Sequence, residues 1–407
     1  MKIILPKSVL VFLISPIFSI YFVLQDIYKN KISGYIVFAI LFSILSYFYL
    51  PSINGDKSYY FNLYNYFSSV SFEEGSLYIK ENMADVTLYY LILIFSKIGL
   101  SFSILSGLMA GIGMGILFFV FRKSAIEFNL SKFMTLLLFI TLICSINLPS
   151  FFSGIRYYFA ISFIIYGLYL SLIENKSIFG LIFLLFASSI HFSGFIFTFV
   201  TLLYILFGQN FNLLKSAYIF SFLFLIIPPI LFVSTVLDFI PYIDIDLYYI
   251  EKYLGYVGEE FEVSNTGHAI YLFVGSLWYF LMSFYALINI NNKKSNKWLP
   301  ALIISLIFAN MTYAFPDVFV RFGYVACIIF IFVLMHDYKK YNYNYFFTVS
   351  YLLISIMTTS LDVLIQRDNF RESYMKIGVL TLPTMILTDP IEGKIFDKGT
   401  ICSSAAC

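Results

Sequence analysis

The sequence predicts an all-α, polytopic integral membrane protein of about 12 transmembrane helices. Three observations carry that prediction. Of the 407 residues, 60% are hydrophobic and only 12% are charged. With a mean hydropathy of +0.88, that balance lies outside the range of soluble globular domains. The apolar residues also fall in runs close to the roughly 20 residues a helix needs to cross about 30 Å of hydrocarbon. Finally, the runs are continuous, and a continuous apolar segment in lipid satisfies its backbone as a helix.

Taken in order, the runs lie at roughly 8–25, 33–52, 103–121, 133–148, 157–173, 177–190, 192–207, 215–235, 268–290, 298–314, 320–336 and 345–361, bounded by short polar breaks. The first follows Met1-Lys2 and imitates a signal peptide. No small-residue cleavage pattern precedes the polar turn at Gln25–Lys31, so an uncleaved anchor is expected. Val86–Lys97 is apolar over only about 12 residues, which predicts an interfacial or re-entrant helix. The stretch Ile178–Phe207 would be about 45 Å long if straight, so it must bend. The turn is expected at Ser188-Ser189-Ile190-His191-Phe192-Ser193-Gly194.

Basic residues orient the bundle, because cytoplasmic loops are enriched in Lys and Arg. Lys29, Lys31, Arg122, Lys123, Lys132, Lys176, Lys215, Lys293, Lys294, Lys297, Lys339 and Lys340 all fall on one side, which is therefore read as cytoplasmic. Lys2 and Lys7 point the other way, and the larger number of loops decides. Two acidic loops, 54–86 and 236–266, then face outward. The second is rich in tyrosine, as a lid over a polar ligand or a set of interface anchors would be. No internal repeat or Gly/Ser-rich linker divides the chain, which reads as a single membrane domain over 1–361 followed by an external C-terminal tail over 362–407.

Four cysteines form no metal set: Cys144 and Cys327 sit inside helices, and Cys402 and Cys407 in the tail, where an oxidising compartment would allow a disulfide. No cofactor motif is present, and a net charge of +2 points to no nucleic-acid partner.

The candidate functional residues all project from the outward side. Asp56, in Asn54-Gly55-Asp56-Lys57, follows the second helix, where a carboxylate can take a proton from a hydroxyl or simply end a helix. Arg156 opens the fifth helix, and insertion of an arginine at membrane depth costs about 2.5–3.5 kcal/mol. A guanidinium there suits a diphosphate or a lipid headgroup. His191, at the break, can act as a base, hold a phosphate or bridge two helix ends. Arg321, four residues after Asp317 and at the top of a late helix, reads as a second diphosphate clamp or an interface anchor paired with Asp317. His268 is a weaker candidate for the same pocket, and His336 lies on the cytoplasmic side.

The order of these features resembles the EpsG family: an external Asp after the second helix, an Arg opening a helix that ends Tyr-Leu-Ser-Leu, Ser-Ser-Ile-His-Phe-Ser in a broken hairpin, and Arg-Phe-Gly-Tyr opening a late helix. Tyr157 stands after the arginine where that family commonly has glutamine. The family is similar in role to the Wzy-type polymerases of O-antigen and capsule. The resemblance implies a multi-pass protein of the bacterial cytoplasmic membrane, with the architecture of a C-type membrane glycosyltransferase. It would join undecaprenyl-diphosphate-linked oligosaccharides into a surface polysaccharide at the external face. It also implies membrane lipid and a chain-length regulator as partners.

Such a reaction needs cations for a diphosphate leaving group and a base for an acceptor hydroxyl. Arg156, Tyr157, Arg321 and Asp317 are assigned to substrate binding, and Asp56 and His191 to catalysis, with Asp56 preferred as the base. A flippase for lipid-linked oligosaccharide is the alternative, and it would be expected to show charge reachable from both faces and an internal repeat. An acyltransferase that modifies surface sugars would want a cytoplasmic constellation, for which His336 alone offers little.

Overall fold

The computed structural model describes residues 6–50, 56–83, 86–206, 210–226, 266–291, 296–313, 316–339, 343–374, 394–397 and 400–403. The architecture is an all-α polytopic membrane bundle. Among the described residues, four helices are long and apolar enough to cross a membrane: Phe102–Glu127, Ile155–Ile173, Val318–Asp337 and Asn344–Ile365. Shorter apolar helices cover most of the other expected runs, several of them broken into pieces, and of the run at 215–235 only the part up to Ile226 lies within the described residues. The proposed lid at 236–266 lies outside the described residues, apart from the start of a helix at Thr266. So does Cys407, while the tail contributes an antiparallel strand pair, β1 (Lys394–Asp397) with β2 (Thr400–Ser403), in which Ile395 faces Cys402.

Two compact units make up the chain: Met1–Leu203 with Thr359–Cys407, and Tyr204–Thr358. The first begins with α1 (Lys7–Ile14) and α2 (Pro16–Tyr28), where the sequence suggested one continuous run. Pro16 disfavours helical backbone at the residue before it. Ser15 accordingly adopts extended geometry, and its hydroxyl caps the start of α2. Next come α3 (Ile32–Phe48), α4 (Asp56–Ser69), α5 (Phe72–Asn82) and α6 (Val86–Lys97). The segment 54–86 is thus helical over most of its length. Tyr60, Phe61, Leu63 and Phe67 recur at helical spacing and are buried along α4, while Ser71 caps α5 with Glu73 and Glu74 in its first turn. The short apolar helix at Val86–Lys97 has the bounds the sequence indicated.

Helix α7 (Phe102–Glu127) is the axle of this unit. Without a hydrophobic drive between helices in lipid, close approach depends on small residues. Gly107, Gly111 and Gly115 form a stripe along α7 that meets Tyr47, Ser43 and Ala39 of the antiparallel α3. A Cβ on Gly111 would stand 2.9 Å from the Ser43 Cβ, and one on Gly107 3.0 Å from the Ser43 carbonyl. Ser46 and Ser106 share a hydroxyl contact of 2.8 Å in the same seam. On another face, Gly113 receives Ser162 and Phe159 of α10 (Ile155–Leu168).

Between α7 and α10 the chain runs through α8 (Lys132–Cys144) and the short α9 (Leu148–Ser153). Helix α10 closes with a π-turn at Tyr169–Ile173 and folds back as α11 (Ser177–Ile190). The hairpin is zipped by Phe163 against Phe186 at 4.8 Å and by Tyr166 against Phe183 at 4.7 Å. The outer face of α11 exposes Ile178, Phe179, Ile182 and Leu185, as a lipid-facing surface does. After His191, α12 (Ser193–Leu206) carries the chain out of this unit.

The second unit holds α13 (Phe211–Ser221), α14 (Leu223–Ile226), α15 (Thr266–Asn289), α16 (Leu299–Met311), α17 (Pro316–Asp337) and most of α18 (Tyr343–Ile365). Several of its interior polar groups pair with one another, as hydrocarbon favours. The Tyr279 hydroxyl donates to Asn310, the Asn310 amide to Ser221 at 2.7 Å, and both Tyr285 and Asn296 to the buried Asp337 carboxylate. The last helix, α19 (Arg367–Tyr374), belongs with the first unit.

The glycine contacts give a graded prediction for thermal unfolding of the purified protein in detergent. A Cβ on Gly180 would collide with the Ser171 hydroxyl and lie 2.6 Å from the Gly167 carbonyl, whereas one on Gly115 meets only Ala39 at 3.9 Å. Gly180→Ala is expected to cost about 1–3 kcal/mol through overpacking. Gly115→Ala should stay within about 1 kcal/mol of the parent, aided by the better helix propensity of alanine.

Candidate functional site

The site is built where α3 ends and α10 begins. The last carbonyls of a helix lack intrahelical partners, and at the end of α3 a side chain takes two of them. Lys57, on the second residue of α4, is 1% exposed. Its ammonium donates to the Ser46 carbonyl at 2.6 Å and to the Tyr49 carbonyl at 2.7 Å, and it lies 5.6 Å from the Tyr49 ring centre. A cation at a helix C-terminus is favoured by the macrodipole. Helix α4 is not among the apolar spans, and here burial pushes the amine down from an ordinary 10.5 to about 7.

Clamping Lys57 inward leaves its neighbour Asp56 exposed at the first position of α4. The carboxylate lies against Gly154: a Cβ on that glycine would come within 3.8 Å of Asp56 Oδ2. Gly154 caps the start of α10, so Asp56 borders the positive end of that helix. Its position is set from the other side by Asn147, which caps α9 by accepting from the Ser150 amide at 2.9 Å, and by two phenylalanines. Phe151 packs on Phe42 at 5.6 Å, and Phe152 on Tyr49 at 5.6 Å.

The next two residues of α10 carry the other groups. Arg156 is half-buried, with its guanidinium 5.8 Å from the ring centre of Tyr60 and Nη1 donating to the Tyr89 hydroxyl at 3.5 Å. The quadrupole of the Tyr60 ring attracts the cation, and the Tyr89 hydroxyl helps to orient its fork. Tyr157 is buried, and its ring meets that of His191 edge-on at 5.1 Å. His191 is itself buried at the end of α11 in extended backbone (φ −153°, ψ 131°), so the break falls where the length of the run requires it. Its Nδ1 accepts from the Ser193 amide at 3.1 Å and contacts the Ser193 hydroxyl at 2.9 Å. That bond caps α12 and, in the neutral ring, places the proton on Nε2. Nearby, α6 is tied to α11 through Thr87 and Ser189 at 2.7 Å.

Asp56, Arg156, Tyr157 and His191 are therefore gathered around the first turn of α10. Arg321 belongs to the second unit, where it is half-buried in α17. Asp317 lies one turn earlier on that helix. Its side chain and that of His268 fall outside the described residues, so the suggested Arg321–Asp317 pair is not described. His336 contacts Asp337 at 3.2 Å in the second unit. Among the described residues, no group of three or more His, Cys, Asp or Glu could hold a metal ion.

Sequence reasoning missed three contributors. Lys57 was legible only as a charge beside Asp56, and Tyr60 and Tyr89 only as interface aromatics. It also placed residues 362–374 with the tail, yet Gln366 and α19 brace the end of α3. Tyr49 donates to Gln366 at 2.9 Å, the Leu50 amide to Ser373 at 3.0 Å, and Tyr374 to the Leu45 carbonyl at 3.0 Å.

The family model described as EpsG family matches residues 31–371, well over half of the chain. No curated protein and no solved structure matches.

The buried lysine makes a testable site. Lys57→Met keeps the bulk but loses both carbonyl contacts, with an expected loss of about 1.5–3 kcal/mol in thermal stability. Between about pH 7 and 10.5 the unfolded chain binds this proton and the folded chain does not, so the amine's contribution to stability rises with pH across that window. The unfolding temperature of the intact protein should therefore climb from pH 7 to 9, as sampled within that window, more steeply than that of Lys57→Met. Equal slopes would refute the assignment.

Proposed function

The chain belongs to the EpsG family, and from that premise we propose that it polymerises oligosaccharide repeat units carried on undecaprenyl diphosphate, at the external face of the bacterial cytoplasmic membrane. The family is associated with polysaccharide polymerase activity. The observation that supports the finer reading is the gathering of an exposed carboxylate and a half-buried guanidinium at the first turn of α10.

In this reading, Arg156 grips the diphosphate of the lipid-linked donor. The acceptor hydroxyl oxygen bonds to the anomeric carbon of the donor, and the bond from that carbon to the diphosphate oxygen breaks. The electron pair leaves with the lipid diphosphate, and the hydroxyl proton passes to the Asp56 carboxylate. Negative charge grows on the leaving group as the bond breaks, so a fixed cation stabilises the transition state more than the ground state. Tyr60 and Tyr89 help to hold that cation in place. His191, with its proton on Nε2, suits donation to a phosphate or sugar oxygen rather than proton abstraction. Tyr157 keeps the imidazole ring oriented. Arg321 is proposed to bind the lipid-linked substrate as well, and the reading rests on Arg156 without it.

The test is a gel of surface glycan from a strain lacking this protein, complemented with the intact chain or with variants. The null strain is expected to show carrier or core bearing a single repeat unit, and only the intact copy should restore a ladder. Arg156→Ala should lower polymer yield by about 100-fold or more, and Asp56→Asn should shorten or abolish the ladder at normal protein abundance. Near-normal chain length in Asp56→Asn would remove Asp56 as the base. Absence of any exported unit in the null strain would favour a flippase. Arg321→Ala, read on the same gel, asks the question separately of the second unit.

A further inference from the structure

Next to the Arg156 shelf, the outward helices carry a feature the reaction above leaves unused. Tyr59, Asn62, Leu63 and Tyr66 recur at i, i+3, i+4 and i+7 on α4 and, with Tyr78 of α5, line an open groove of about 200 Å³. Three of these five residues are tyrosines and one is an amide. None is charged.

The groove is fixed in shape. Tyr66 and Tyr78 meet with ring centres 5.2 Å apart, and both rest on the fully buried Phe67, at 5.7 and 6.1 Å. Helix α5 is seated by Gly75, where a Cβ would come within 2.7 Å of Leu93 of α6, and by a 2.8 Å contact between the Ser76 and Tyr90 hydroxyls. At one end, the ring of Tyr59 lies 5.5 Å from that of Tyr60, the residue over which the Arg156 guanidinium sits. From Tyr59 to Tyr66 the helix rises about 10 Å, so the groove leads away from the cation along α4.

This lining differs from a lipid-facing belt. Tyr59 and Tyr66 are 49% and 38% exposed, and the exposed positions beside them are Asn62, Asn65, Ser68 and Ser69. On α11, by contrast, the exposed neighbours of the aromatic residues are Ile178, Ile182 and Leu185. A rigid, amphipathic tyrosine offers a ring face to an apolar C–H surface and a hydroxyl to a polar one, at low entropic cost. An amide supplies both a donor and an acceptor. That combination matches a sugar ring, which has C–H patches on its faces and hydroxyls around its rim. The groove is smaller than the roughly 300–1,000 Å³ clefts that enclose drug-sized ligands, so it fits one ring of a chain that continues into solvent.

We propose that the groove between α4 and α5 is a carbohydrate subsite, in which Tyr59, Asn62, Tyr66 and Tyr78 hold a sugar ring of the repeat unit whose diphosphate end is bound at Arg156. The proposal rests on the polymerase reading and adds the contact that registers the glycan on the enzyme. It also assigns α4 and α5 a role in specificity, since the pattern of hydroxyls met by Asn62 selects among sugars.

The probe is the repeat-unit oligosaccharide released from the host's own surface glycan, free of lipid and phosphate. Its binding to the full-length protein in lipid nanodiscs is followed by saturation-transfer NMR and titration. The intact protein is expected to bind it. Tyr66→Ala and Asn62→Leu should each weaken binding at least fivefold with an unchanged unfolding temperature, while Tyr21→Ala, which removes a 63% exposed aromatic elsewhere, should not alter it. Equal binding by the intact protein and both groove variants would overturn the subsite and leave the polymerase reading standing. So would an absence of binding to intact protein that still restores the glycan ladder in cells. If the null strain already makes a full ladder, the polymerase reading itself falls, and the subsite with it.

Discussion

The carbonyl oxygens at the end of α3 are the constraint around which one end of the first unit is organised. A helix that stops near a membrane surface leaves its last acceptors without intrahelical donors, and burial makes each of them costly unless another group supplies a proton. Here the donors come from three distant parts of the chain. Lys57 takes the carbonyls of Ser46 and Tyr49, Ser106 approaches that of Ser46 at 3.4 Å, and Tyr374 adds a second donor to that of Leu45, which already accepts from the Tyr49 amide. Satisfying one helix end therefore fixes α4, α7 and α19 around it. The exposed carboxylate of Asp56 is a by-product of that arrangement: once Lys57 points inward, the adjacent residue is turned about 100° away from it around the helix.

Close packing supplies the second constraint. Because α7 presents glycines to α3 on one face and to α10 on another, the two helices that carry the site approach a common axle at short range. The α3 end and the α10 start are thereby held in register by backbone packing. Arg156 then lies over the Tyr60 ring and donates to the Tyr89 hydroxyl, two contacts that orient its fork. The capping of α12 by His191 fits the same economy, since one side chain both ends a helix hairpin and packs on Tyr157.

Much of this was legible in the sequence, and the limits have physical reasons. Composition and run length reveal a helical membrane protein because lipid imposes a strong length rule. The same rule marks Val86–Lys97 as too short to span and Ile178–Phe207 as too long to stay straight. Arg156 was legible because a charge bordering hydrocarbon is rare. Lys57 was not, because a lysine at the edge of a polar loop normally faces water, and only the geometry of the α3 end shows where its amine goes. Helices α4 and α5 were hidden in a loop whose polar content masked a buried helical stripe. The brace from Gln366 to Tyr374 was invisible for another reason: contacts between residues more than 300 positions apart leave no local pattern to read.

Those sequence separations also order the site in time. Lys57 lies 11 and 8 residues from the carbonyls it binds, so that clamp can close as soon as α4 has left the ribosome. The hydroxyls of Ser373 and Tyr374 reach the same helix end from 323 and 329 residues away, and an N-terminus-first chain synthesises them long after α3. Until then the end of α3 is only partly sealed. The shelf that carries Asp56 and Arg156 is thus completed by the final stretch of the membrane domain, which couples maturation of the site to full-length synthesis and leaves a prematurely terminated chain with an unfinished floor.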